Sequence, residues 1–66
     1  MELVVNGEKE QLKEEVNLID FLNSKGLELD RLVIEYNKQV IPQEEWKNTT
    51  LKDQDTLEVL RFVGGG

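Results

Sequence analysis

The residues best placed to do chemistry are the last three, Gly64, Gly65 and Gly66. They offer no functional side chain. What they offer is reach and a main-chain carboxylate. Fully extended, three residues span about 10 Å. Without Cβ atoms they can thread a narrow channel and lie flat against another backbone, and they lose the most entropy when ordered, so a mobile tail is expected. A carboxylate is a poor acyl donor, because its leaving group would be oxide. Coupling it to AMP supplies a good leaving group and an electrophilic carbonyl. A sulfur nucleophile could then displace AMP and leave a thiocarboxylate on Gly66. The sequence has no phosphate-binding loop, so ATP and magnesium are expected in a partner enzyme, with no cofactor bound by the chain itself. The same triplet would also suit a linker or a frayed end. The apolar strand leading into it favours function.

The remaining composition points away from a pocket with catalytic side chains. There is no Cys and no His. That excludes a disulfide framework, a thiolate nucleophile and zinc or haem ligation of the usual kinds, and removes the side chain best suited to proton transfer near neutrality. No catalytic residue and no metal site is assigned. Asp53 and Asp55 suggest a capped turn, since hard cations require more oxygens than these supply. Glu14-Glu15 and Glu44-Glu45 read as solvated surface that can add to an acidic docking face. Trp46 reads as core, and no lysine has an activating setting.

The formal net charge of -6 disfavours nucleic acid and anionic membranes and favours a partner with a basic docking face. No apolar run approaches a membrane span and the N-terminus carries no signal-peptide pattern, so cytoplasmic residence is expected. Asn48-Thr49-Thr50 is then a chance glycosylation match.

The elements that must position the tail can be read along the chain. Leu3-Val4-Val5 suggests a strand, Asn6-Gly7 a type I′ turn, and Glu8–Lys13 a charged edge strand, with Leu3, Val5 and Leu12 facing the core. Asn17 caps a helix from Leu18 to Lys25, with Asp20 in its first turn and Val16 stapled to Phe21. Leu18, Phe21 and Leu22 make its apolar stripe, and Gly26 with Leu27 suits a Schellman ending. After a loop at Glu28–Arg31, Leu32–Tyr36 is a third strand, Asn37-Lys38-Gln39 a turn and Val40-Ile41 a fourth strand. Pro42 opens a helical turn over Gln43–Lys47 that brings Trp46 inward. Leu51 is a buried candidate, Asp53-Gln54-Asp55 a tight turn, and Thr56–Val63 the last strand.

The order predicts an α+β, ubiquitin-like β-grasp: a mixed sheet of four to five strands, first and last parallel neighbours, with one helix across one face. The domain spans residues 1–63 and the tail residues 64–66. Alternation points Leu57 and Val59 inward, and Glu58, Leu60 and Phe62 to the face no helix covers. Leu60 and Phe62 are therefore candidate docking residues beside the tail, against the alternative of ordinary exposed apolar surface.

Asn37-Lys38-Gln39-Val40-Ile41-Pro42, Trp46, Leu51, Asp55-Thr56-Leu57-Glu58-Val59 and the ending Phe62-Val63-Gly64-Gly65-Gly66 resemble the sulfur carrier proteins of thiamine biosynthesis, and the resemblance covers essentially the whole chain. The ending is also similar to the tail of ubiquitin. The Val-Gly-Gly-Gly ending and the Val-Ile-Pro plus Trp spacing favour the thiamine carrier over its molybdopterin counterpart. A ubiquitin-like binding or conjugation module is the alternative from another class. The resemblance implies a protein co-substrate rather than an enzyme. A ubiquitin-activating-like adenylyltransferase would adenylate Gly66, with Gly64 and Gly65 threading its active site. Sulfur from cysteine, through a desulfurase, would form the thiocarboxylate, and thiazole synthase would take that sulfur into the thiazole ring. Gln54 departs from the pattern, where relatives often carry Gly; that bears on turn geometry rather than on the tail.

Overall fold

The computed structural model describes residues 1–62. Strands β1 (Glu2–Val5) and β2 (Glu8–Gln11) form the first hairpin. Its turn residues both take positive φ, Asn6 at 51° and Gly7 at 82°, as a two-residue type I′ connection requires. The ladder stops at Glu2 opposite Gln11, so β2 is shorter than the expected Glu8–Lys13. Beyond it Leu12 donates its N–H to the Met1 carbonyl and accepts from the Met1 amino group. This exchange holds Leu12 against the core.

Strand β3 (Val16–Asn17) runs directly into helix α1 (Leu18–Ser24). The Asn17 side chain accepts from the Ile19 N–H at 2.9 Å, which satisfies one of the free amides of the first turn. The same side chain donates to the Lys47 carbonyl and so ties the helix start to a later 3₁₀ segment of the chain. Leu18, Phe21 and Leu22 are buried as one stripe. The helix closes as a Schellman motif, with Gly26 at φ 72°. The Gly26 N–H reaches Asn23 and the Leu27 N–H reaches back to Leu22. Lys25 is the cap rather than the last helical residue.

Strand β4 (Leu32–Tyr36) and β5 (Gln39–Ile41) form the second hairpin. Its turn is two residues, not the three expected. Asn37 (φ 48°) and Lys38 (φ 73°) both enter the left-handed region, which makes a type I′ turn and places Gln39 in the strand opposite Tyr36. Residues Leu29–Arg31, expected as loop, form a short 3₁₀ turn, and a second 3₁₀ helix runs from Gln43 to Asn48. The latter buries Trp46, whose indole N–H donates to the Ile41 carbonyl at 3.0 Å. Strand β6 (Thr50–Leu51) pairs antiparallel with β3 through Val16↔Leu51 and Asn17↔Thr50. This small second sheet was not anticipated.

Strand β7 (Thr56–Arg61) completes a five-stranded sheet in the order β2-β1-β7-β4-β5. It lies parallel to β1 and antiparallel to β4. The arrangement is the expected β-grasp. The strand ends at Arg61 rather than Val63. One further bond, from the Phe62 N–H to the Arg31 carbonyl, carries the pairing a residue past it. Leu3, Leu32, Ile34 and Leu57 from the sheet meet the helix stripe, Trp46 and Leu51 in one core. Full burial of each such side chain is worth about 1.5–3 kcal/mol.

Candidate docking face and C-terminal tail

β7 leads to the tail, so the surroundings of its last residues define the candidate site. Its side chains alternate between two faces. Leu57 is buried, and Val59 packs against the core. On the other face Leu60 is 55% exposed and Phe62 is 48% exposed, as alternation required. Register adds residues that alternation within β7 could not supply. Val33 of β4 stands opposite Leu60, and Glu35 stands opposite Glu58. Val40 of β5, 64% exposed, stands opposite Glu35. The two apolar docking candidates thus belong to a wider patch that spans three strands.

The end of β7 is held on both sides. β4 pairs along its length. β1 pairs only with Thr56 and Leu57, and the Asn6 side chain then takes over, accepting the Val59 N–H at 2.7 Å. The Asn6 N–H also donates to the Leu57 carbonyl. The turn that starts the fold thereby secures the strand that ends it. Gly64, Gly65 and Gly66, together with Val63, lie outside the described residues.

The other candidates have structural occupations. Asp55 accepts from the Lys52 N–H, the Asn37 side chain and the Tyr36 hydroxyl, which makes a capped turn. Burial, then the hydrogen bond to Asp55 and its charge, push the Tyr36 hydroxyl up to about 12. Asp53 accepts the Glu2 N–H at 2.6 Å, and that backbone hydrogen bond holds its carboxyl below the usual carboxylate range. Between them Gln54 takes φ 72°, the conformation a glycine would adopt without strain, and donates its N–H to the Glu2 carbonyl. A groove of about 340 Å³ lies on the helix side, floored by Phe21, Leu22, Leu27, Leu32 and Val59. At its rim Lys25 and Glu10 pair at 2.6 Å, and the Asn6 oxygen is taken by Val59. Glu8 and Arg61 also line the groove. Among the described residues no helix is long and apolar enough to cross a membrane.

Comparison with known proteins agrees with this architecture. The ThiS family profile matches residues 1–66. The sulfur carrier protein ThiS of Bacillus subtilis is 37% identical over 65 residues, covering 97% of this chain and 98% of its own. A crystal structure of a thiamine biosynthesis protein (ThiS) from Geobacter metallireducens superposes with a TM-score of 0.87 at 33% identity, covering 100% of both chains. A thiazole synthase of Paramagnetospirillum magneticum is 29% identical across all of this chain, which spans only 20% of that protein.

Proposed function

The chain belongs to the ThiS family, and from that premise we propose that it is a sulfur carrier protein of thiamine biosynthesis whose cargo is held on Gly66. The carboxylate of Gly66 attacks the α-phosphorus of ATP in a partner adenylyltransferase, pyrophosphate leaves, and an acyl adenylate forms. A desulfurase takes sulfur from cysteine as an enzyme-bound persulfide, whose terminal sulfur attacks the carbonyl as AMP leaves; a thiol reductant then cleaves the resulting acyl disulfide, and the attacking sulfur stays on Gly66. The product is a thiocarboxylate, which thiazole synthase consumes. Gly64 and Gly65 let the terminus pass through channels too narrow for side chains. The chain is a co-substrate in this scheme. Magnesium and ATP bind to the partner, and the reaction takes place in the cytoplasm.

The observation that carries the reading is the junction of a glycine triplet with a strand whose last described residues expose Leu60 and Phe62. A rigid body that docks through that face can deliver a chain end some 10 Å beyond it. The thiazole synthase that contains a stretch similar to this whole chain supports the choice of consumer.

The test is intact-protein mass measurement after incubation with ATP, magnesium, the adenylyltransferase and a sulfur source. The expected result is a mass gain of one oxygen-for-sulfur exchange that disappears when Gly66 is deleted. Adducts to target lysines instead would make the chain a conjugation module.

A further inference from the structure

Along the face opposite the helix, one row across the sheet runs Val40, Glu35, Glu58. The next row is Val33 and Leu60, with Phe62 beyond. Two carboxylates therefore stand directly opposite each other on neighbouring strands, with apolar side chains beside them. Both glutamates are partly buried. Among the described residues the ion pairs are Lys25–Glu10 and Arg31–Glu28, and neither involves this pair. Like charges directly opposite on a sheet are destabilising. Partly buried charges such as these are screened by salt less than fully exposed ones. The free fold thus carries a local cost that a cation placed between the two carboxylates would relieve.

Resting on the docking reading of the same face given above, we infer that thiazole synthase recognises this carrier by seating an arginine or lysine between Glu35 and Glu58, with apolar side chains laid over Val33, Val40, Leu60 and Phe62. The apolar rows supply contact area. The acidic pair supplies register and selectivity, because a partner without the cation would bury two unpaired charges. A guanidinium suits the site best, since its planar fork can donate to both carboxylates at once. The net charge of -6 adds attraction at longer range, which speeds encounter with a basic surface.

The two roles make opposite demands, and that gives the test. Binding to thiazole synthase is measured by calorimetry at low and high salt for the unaltered chain, for the double variant Glu35→Gln/Glu58→Gln and for Phe62→Asp, with a thermal melt of each. The expected result for the double variant is a melting temperature higher by a few degrees, binding weaker by about tenfold or more, and a flatter salt dependence. Binding that is unchanged or tighter in the double variant overturns the inference. If Phe62→Asp still weakens binding in that case, the docking face stands and only the charge reading falls. If neither variant changes binding, both fall together.

Discussion

The two faces of the main sheet are built from the same strands, residue by residue in alternation, yet they carry different obligations. The face toward α1 holds Leu3, Leu32, Ile34 and Leu57, all buried, and their packing holds the fold together. The opposite face holds Val33, Glu35, Glu58 and Leu60 at intervening positions of β4 and β7, the first three half-buried and Leu60 exposed. An apolar side chain on the first face is explained by the molecule alone. On the second it asks for a partner. A sequence change of one position along a strand therefore moves the expected damage from folding to recognition.

The sharpest way to break this contrast lies at the chain end. Deleting Gly66 is expected to abolish sulfur loading, read by intact mass, with a melting temperature within a degree or so of the parent. A large loss of stability would mean that the end is part of the packed body. Next in size, Ile34→Ala should cost about 2–5 kcal/mol in urea unfolding, because Ile34 is fully buried at the centre of the core. Val33→Ala, one residue away, should cost well under half of that. Equal losses would erase the distinction between the faces. Phe62→Asp should then weaken partner binding about tenfold or more while shifting stability by less than about 1 kcal/mol; unchanged affinity by calorimetry would remove Phe62 from the docking surface.

Two smaller effects probe the turns that hold the faces in register. Gln54→Gly should raise stability by up to about 1 kcal/mol, since Gln54 sits at φ 72° and glycine relieves left-handed strain at some entropic cost. A loss of stability would mean that the Gln54 side chain contributes more than its backbone strain takes away. The Tyr36 hydroxyl has its pKa raised from 10.0 to about 12 by burial first and by Asp55 second. A raised folded value favours the protonated form, so its contribution is complete below pH 10 and is lost as pH climbs toward 12. Tyr36→Phe should flatten the fall in stability across that window, measured by denaturant midpoint against pH.

Elements with local chemical signatures were legible in the sequence. Asn17, the Leu18-Phe21-Leu22 stripe and Gly26 give a cap, a face and an ending, each within a few residues, and α1 formed where they indicated. Asn6-Gly7 fixed the first hairpin in the same way. The β3–β6 sheet was not legible, because two pairs of residues leave no period to detect. The second turn was misread as three residues, since Lys38 is an unusual choice for a positive φ. At the proposed docking face, alternation alone points to Leu60 and Phe62. Val40 and the Glu35–Glu58 pair depend on which strand lies beside which, and that is settled by the tertiary fold. Counting back from a two-residue Asn37-Lys38 turn would have set Val40 opposite Glu35. The tail chemistry rests on residue types and on the family resemblance, and the domain boundary expected at residue 63 lies with Val63 outside the described residues.

The Asn6–Val59 hydrogen bond has a mechanical consequence. A partner that draws the glycines into its channel pulls along the axis of β7. That strand is flanked by parallel β1 on one side and antiparallel β4 on the other, so tension loads these bonds in shear, together rather than one at a time. We predict that the carrier resists being tugged open during repeated loading and delivery. Asn6→Ala should lower the force needed to peel the last strand in single-molecule stretching, and an unaltered force would locate the resistance elsewhere.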